Sequence, residues 1–176
     1  MGPGFSAYAH CSLCPRACGV DRSAGERGIC GCDDTLRIAR AALHYWEEPP
    51  ISGDAGSGAI FFSGCPLKCV FCQNCAISRG LSGEAVTTRR LARIMLELEG
   101  QDALNINLVT PAHFAPHVIA AAKLAREHGL SIPLVCNTSG YETCLAIEAL
   151  SEVVDVWLTD YKYVDPELSA RFSGAP

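Results

Sequence analysis

Residues 104–137 read LNINLVTPAHFAPHVIAAAKLAREHGLSIPLVCN. "LNINLV" and "IPLVCN" are short apolar runs of strand length. Between them "FAPHVIAAAKLAREHG" has a helical pattern, with Pro116 near its first turn and Gly129 at its C-cap. A strand, a helix and a second strand in this order predict a parallel pair joined by a helical crossover.

The same rhythm continues in both directions. "AIFFS" from Ala59 reads as a strand buried on both faces. In "TTRRLARIMLELEG", Leu91, Ile94, Met95 and Leu98 fall at i, i+3, i+4 and i+7, with Thr87 or Thr88 as N-cap and Gly100 as stop. Downstream, "TCLAIEALSEVV" predicts a third helix, "DVWLTD" a fourth strand and "DPELSARF" the start of a fourth helix. The order βαβαβαβα predicts an α/β fold with a parallel sheet. We read it as the first four βα units of a TIM-type barrel, a small open sheet being the alternative. Both architectures bind ligands at the carboxyl ends of their strands. Residues Gly64–Cys75, Val109–His113, Asn137–Tyr141 and Asp160–Tyr163 are therefore expected to share one site. "RFSGAP" stops just after a helix begins, so we expect a piece of a longer protein.

Composition narrows the function. A chain of 176 residues with 49% apolar and 19% charged residues suits one globular domain with a small appendage. The net charge of −5, with no run of lysine or arginine, argues against a nucleic-acid partner. No stretch approaches the ~18–20 apolar residues that span a bilayer. "MGPGFSAYAHC" lacks the charged and apolar regions of an export signal, so a cytoplasmic location is expected. In a reducing compartment, the eleven cysteines read as metal or redox ligands rather than disulfides.

Nine of them form two groups, and Cys136 and Cys144 lie outside both. Residues 1–50 make a Cys-rich N-terminal extension to a core of residues 51–176. In the extension, Cys11-x2-Cys14-x3-Cys18 with Cys30 or Cys32 is a four-thiolate set for zinc or for an iron–sulfur cluster. "GERGICG" places Cys30 after a flexible glycine turn and favours it, leaving Cys32 spare. A metal-bound knuckle that staples a region short of its own core is preferred to an electron relay. "TLRIARAALHYWEEPPISG" follows, a strand-like run ending in a Pro-Pro turn.

The second group is "GCPLKCVFCQNC", Gly64 to Cys75, with spacing Cys65-x3-Cys69-x2-Cys72 and Cys75 beyond. Thiolates this close in one loop can grip several irons of one 4Fe–4S cluster. Three of them leave one iron free to bind a small molecule, whereas a fourth from Cys75 would close the cluster. The bacterial ferredoxin spacing, Cys-x2-Cys-x2-Cys-x3-Cys-Pro, lacks the x3 opening seen here. Cys75 is read as a bystander that starts the next segment.

"FFSGCPLKCVFCQN" resembles the cluster loop of radical S-adenosylmethionine (SAM) enzymes, with aromatic Phe71 just before the third cysteine. More narrowly it is similar to the pyruvate formate-lyase activating enzyme group. "NTSG" (Asn137–Gly140) and "TDYK" (Thr159–Lys162) resemble that group's turns after the corresponding strands. "CSLCPRACGVDRSAGERGICG" with "HYWEEPPISG" resembles the N-terminal extension of an activase-like subfamily. The resemblance implies that Cys65, Cys69 and Cys72 hold a 4Fe–4S cluster whose fourth iron is chelated by SAM. Reductive cleavage of SAM would yield a 5′-deoxyadenosyl radical. It further implies Phe71 near the adenine, Gln73 and Asn74 bracing the loop or nucleoside, and Asp160 and Lys162 at the methionine end. Reduced flavodoxin or ferredoxin would donate the electron, and a protein with a glycyl residue is the family-style substrate. Two departures stand out. Cys75 is an extra thiol, and "NLVTPAH" puts Thr110 where relatives carry a glutamate for the ammonium of SAM. Asn107, Thr110 and Asn137 would share that task with neutral oxygens. The competing readings are a carrier or scaffold closed by Cys75, and a truncated relative without turnover.

The remaining polar residues have plainer readings. His113 and His117 read as solvated or capping, and Cys136 and Cys144 as buried small hydrophobes. His44, Trp46, Glu47 and Glu48 are expected to pack at the barrel mouth rather than do chemistry.

Overall fold

The computed structural model describes residues 4–80 and 82–175. Its centre is a six-stranded sheet built from β1 (Arg37–His44), β2 (Ser57–Phe62), β3 (Glu84–Ala85), β4 (Ile106–Val109), β5 (Leu134–Thr138) and β6 (Val156–Thr159), ordered β3-β1-β2-β4-β5-β6. Helices are α1 (Pro49–Ser52), α2 (Cys75–Ser78), α3 (Thr88–Glu99), α4 (Ala115–Glu127), α5 (Cys144–Leu150) and α6 (Pro166–Ser173). The four expected strands are β2, β4, β5 and β6, and they pair in parallel.

The sheet as a whole is mixed, which corrects the expectation of a parallel one. β1 runs antiparallel to β2, and β3 antiparallel to β1. The cause is the Pro-Pro turn: Pro49 starts one turn of helix, and the chain then reverses so that His44 pairs with Ser57. The strand preceding the turn thus belongs to the same sheet as the core. The sheet is open, with β3 and β6 as its edges, and does not close into a barrel.

Successive crossovers of one hand put α3, α4 and α5 side by side on one face. There Ile60, Phe62, Ile106, Leu108, Leu134 and Cys136 of the sheet meet Leu91, Met95, Leu98, Val118 and Ala122 of the helices, all fully or almost fully buried. Each large apolar side chain buried this way contributes about 1.5–3 kcal/mol. Packing of that stripe, rather than intrinsic propensity, holds α3. Its start is set by Thr87, whose hydroxyl accepts from the Arg90 amide at 3.1 Å. Thr143 and Asp165 cap α5 and α6 in the same manner.

Strand alternation sends the other residues to the opposite face. Phe61, Val109 and Asn137 lie in one row across β2, β4 and β5, and Ala59, Asn107 and Val135 in the row beneath. Arg40 of β1 pairs with Phe61 and extends the upper row. That second face carries the candidate site.

The N-terminal segment has only short 3₁₀ turns, Phe5–Tyr8 and Arg22–Ala24, around a small cluster of Tyr8, Cys11 and Leu13. Arg22 fastens it to the core. Its guanidinium is fully buried, donates to the carbonyls of His113 (2.7 Å) and Asp33 (2.7 Å), and lies 4.6 Å from the Tyr8 ring centroid. His113 and His117 are not solvated or capping. The His113 ring is buried, with Nε2 donating to the Ser63 carbonyl at 2.8 Å. His117 Nε2 donates to the Asp34 carbonyl at 2.9 Å, so its Nδ1 accepts from the Thr88 hydroxyl at 2.9 Å. Cys136 is buried as expected, but Cys144 is exposed at the start of α5. No helix of the described residues is long and apolar enough to cross a membrane.

Candidate functional site

A cavity of about 600 Å³ opens on the sheet face turned away from α3–α5. One wall is the cysteine loop, with Cys65, Cys69, Phe71, Cys72, Gln73 and Asn74. The ends of β4, β5 and β6 supply Thr110, Asn137 and the pair Asp160 and Lys162. The four strand-end segments therefore do meet. Cys75 does not line the cavity; it is exposed at the start of α2.

The cysteine loop is held from three sides. Behind it, the Gly64 amide donates to the Ile77 carbonyl of α2 at 2.8 Å. Gly64 has φ +80°, and an added Cβ would sit 2.3 Å from Cys32 Sγ and 2.7 Å from the Cys30 carbonyl. Glycine is required by both conformation and space. In front, the Lys68 and Val70 amides donate to the carbonyls of Ser173 and Phe172 in α6, at 3.2 and 2.9 Å. The Ser173 hydroxyl donates to Cys69 Sγ at 2.9 Å. From the N-terminal segment, Arg16 donates to the Pro66 carbonyl at 2.8 Å and to the carbonyls of Ser173 and Gly174. Lys68 Nζ reaches the carbonyls of Ser78 (2.8 Å) and Cys30 (3.3 Å).

Charge is placed in two zones. Lys162 pairs with Asp160 at 2.5 Å. Burial works against the ammonium, but Asp160 and the nearby thiols of Cys69 and Cys65 outweigh it and hold the lysine above its ordinary range. Burial also pushes the Cys65 thiol up to about 11, so any metal it binds must displace a proton. At the far side of the cavity, Glu47 Oε2 accepts from Asn137 Nδ2 at 3.3 Å, and Oε1 lies 3.8 Å from His44 Nε2. Burial and the neighbouring Glu48 raise the Glu47 carboxyl. His44, Trp46, Glu47 and Glu48 all line the cavity. A signal existed in "HYWEEPP": several ionisable residues together just before a chain reversal.

Two turns carry distinctive geometry. Gly140 of "NTSG" has φ +73°, and a Cβ there would lie 2.6 Å from the Asp160 carbonyl, so the β5 and β6 ends meet through backbone. Thr110 takes φ +54°, an outlier for a β-branched residue, while its amide donates to the Asn137 carbonyl at 2.8 Å. Asn107, expected to contact the cofactor, lies one row beneath Val109 and Asn137, does not line the cavity and is fully buried.

Cys11, Cys14, Cys18 and Cys30 lie apart from the cavity and close to one another. The Gly28 α-carbon packs between Cys18 and Cys30, where a Cβ would be 3.3 and 3.7 Å from their sulfurs. Burial pushes the Cys14 thiol up to about 11, and the thiols of Cys30, Cys11 and Cys18 add to that. Cys32, hydrogen-bonded to the Ser63 carbonyl at 3.3 Å, is buried beneath Gly64. Among the described residues, no group of three or more His, Cys, Asp or Glu is drawn together tightly enough to hold a single metal ion. A cube of four irons asks for wider spacing, because each thiolate binds a different corner.

A family model described as a 4Fe-4S single cluster domain matches residues 51–173. The chain belongs to this 4Fe–4S domain family. The iron–sulfur reading of the cysteine loop is thereby supported at the level of the prosthetic group. The matched span of this 4Fe–4S domain takes in β2 to α6 and the whole cysteine loop, and leaves out the N-terminal cysteines. An uncharacterized protein of Methanocaldococcus jannaschii is 31% identical over 173 residues, covering 94% of this chain. The chain spans 49% of the length of that relative.

Proposed function

We propose that the chain is the cofactor-binding part of a radical SAM enzyme of the activase-like type. The observation that carries the reading is the division of the loop's thiols. Cys65, Cys69 and Cys72 line the same cavity as the strand ends, and Cys75 is exposed and does not line it. Three thiolates suit a 4Fe–4S cluster with one iron left for the amino and carboxylate groups of SAM. When bound, that pair supplies one-electron cleavage of the sulfonium to methionine and a 5′-deoxyadenosyl radical.

The chain's own residues bind and orient. Lys162, its charge secured by Asp160, is placed to meet a carboxylate near Cys65 and Cys69. Phe71 stands at the rim, with Tyr163 edge-on at 6.1 Å between centroids, and offers a face for adenine. Gln73 and Asn74 flank it. The Ser173 hydroxyl and the amides around Cys69 fix the loop before any cofactor arrives. Reduced flavodoxin or ferredoxin would deliver the electron, and a protein glycyl residue is the substrate class we favour. In the N-terminal segment, Cys11, Cys14, Cys18 and Cys30 would hold zinc or a second cluster. We favour a structural role, because Arg16 and Lys68 tie that segment to the cysteine loop.

Anaerobic reconstitution with iron and sulfide, then reduction in the presence of SAM, tests the proposal. The expected product is 5′-deoxyadenosine. A chain that assembles its cluster in the full-length protein yet never cleaves SAM would refute it.

A further inference from the structure

Arg22 poses a charge problem. Its guanidinium is fully buried, and its donors go to the carbonyls of Asp33 and His113 and, at 3.7 Å, to Cys11 Sγ. Among the described residues no carboxylate forms an ion pair with it. Carbonyls satisfy its N–H groups but do not balance its charge, and a buried cation calls for an anion beside it.

The anion at hand is sulfur. Cys11, Cys14 and Cys30 are buried and Cys18 is half-buried, with only short 3₁₀ turns around them. The Ile29 amide donates to Cys18 Sγ at 3.4 Å, as Arg22 does to Cys11 Sγ. Two of the four sulfurs thus accept N–H bonds, which a thiolate does far better than a thiol. Four neutral thiols would leave Arg22 unbalanced, and four bare thiolates would repel one another. A metal group gripped by all four displaces the protons and keeps a net negative charge next to the guanidinium.

The second observation is mechanical. Arg16 sits between Cys14 and Cys18 in sequence, and its fork reaches the cysteine loop. Nε donates to the Pro66 carbonyl at 2.8 Å, the two terminal nitrogens donate to the carbonyls of Gly174 and Ser173, and the guanidinium lies 5.5 Å from the Tyr141 ring centroid. Pro66 follows Cys65 directly, and Tyr141 belongs to the turn after β5. Lys68, next to Cys69, returns the contact by donating to the Cys30 carbonyl at 3.3 Å. Cys14, Cys18 and Cys30 are therefore each within two residues of a tie to the loop that carries the other thiols.

We propose that Cys11, Cys14, Cys18 and Cys30 bind a thiolate-held metal group with Arg22 as its buried counter-ion, and that this group locks the cysteine loop through Arg16 and Lys68. The N-terminal segment has little apolar core, so metal binding supplies much of its folding free energy and sets the Arg16 fork in place. Arg16 is a positioning residue: it holds the backbone beside Cys65 and the C-terminal end of α6. The lock rests on the reading of the loop as a 4Fe–4S site and not on SAM cleavage.

The test uses the full chain, reconstituted anaerobically with iron, sulfide and zinc. In a Cys65→Ala, Cys69→Ala, Cys72→Ala variant the loop cannot hold a cluster. A metal group should remain there, and adding Cys14→Ser should remove it. Elemental analysis names it, as zinc without visible absorption or as iron and sulfide with a cluster's absorption. Retention of neither metal would overturn the site. The lock is read with the loop intact, as the rate at which Cys65, Cys69 and Cys72 become alkylated in the presence of a chelator, resolved by peptide mass spectrometry. Arg16→Gln should speed that alkylation about tenfold or more, with Cys14 and Cys18 still protected and the melting temperature unchanged. Arg16→Lys keeps the charge but not the planar fork and should fall between. Cys144→Ser, at an exposed position on α5, serves as the control. A parental alkylation rate in Arg16→Gln would overturn the lock even where the N-terminal metal is found. If the triple variant does not fold, Cys14→Ser alone replaces it; loss of the N-terminal metal and faster alkylation of the loop support the proposal, and parental metal content overturns it. A parent chain that never cleaves SAM refutes the proposed function and leaves each of these outcomes unchanged.

Discussion

Gly64 stands where β2 gives way to the cysteine loop, with Cys32 and the Cys30 carbonyl against its α-carbon. Gly64→Ala must strain a left-handed backbone and push a thiol and a carbonyl aside. The expected loss is about 2–4 kcal/mol, read by chemical denaturation, with lower iron retention after reconstitution. The thiols of the loop differ in their expected effects. Alanine at Cys65, Cys69 or Cys72 should abolish the cluster's visible absorption, whereas Cys75→Ala should leave iron per chain unchanged. Loss of the cluster in Cys75→Ala would assign that thiol as a fourth ligand. Much of this site was legible in the residues themselves, because thiol spacing and strand ends are local features. The position of Glu47 was not: it depends on a chain reversal that carries it across the sheet to Asn137, ninety positions away.

At the scale of elements, α3 and α4 follow from their apolar spacing, and Thr87 caps α3 as its sequence indicates. Leu91→Ala, removing a fully buried side chain between helix and sheet, should cost about 2–5 kcal/mol in urea denaturation. The histidines of the α4 region show where local reading stops. Both precede or begin a helix and look solvated, yet Phe5, Tyr8 and Asp34 come from far upstream to cover His117. Burial lowers both histidines from their ordinary value of 6.5. At pH 7 they are neutral in the folded and unfolded chains alike. Below about 6.5 the unfolded chain takes up protons that the fold resists, so stability falls as the solution is acidified. Each histidine can contribute at most about 1.4 kcal/mol per pH unit over that window. Denaturation midpoints at pH 7.5 and pH 5.5 should converge in His117→Gln relative to the parent. An unchanged difference would show that His117 titrates normally.

For the whole molecule, the parallel strands β2, β4, β5 and β6 could be read from alternating apolar runs and helix signals, but the edges of the sheet could not. β1 looked like a strand without showing its partner, and β3 is only two residues long, too short to leave a pattern. The N-terminal segment gave cysteines but no periodicity, and what binds it is long-range: Arg22 under Tyr8, Arg16 on Pro66, Lys68 on the Cys30 carbonyl. Arg22→Met should therefore loosen that segment before the sheet, seen as amide exchange rising in residues 5–33 while β4 and β5 stay protected. The central claim is that the cluster of this fold keeps one iron for SAM. Electron paramagnetic resonance of the reduced, reconstituted chain, recorded with and without saturating SAM, addresses it most directly. A change in the cluster's g-values on adding SAM is the predicted result, and a spectrum that SAM leaves untouched would contradict the account.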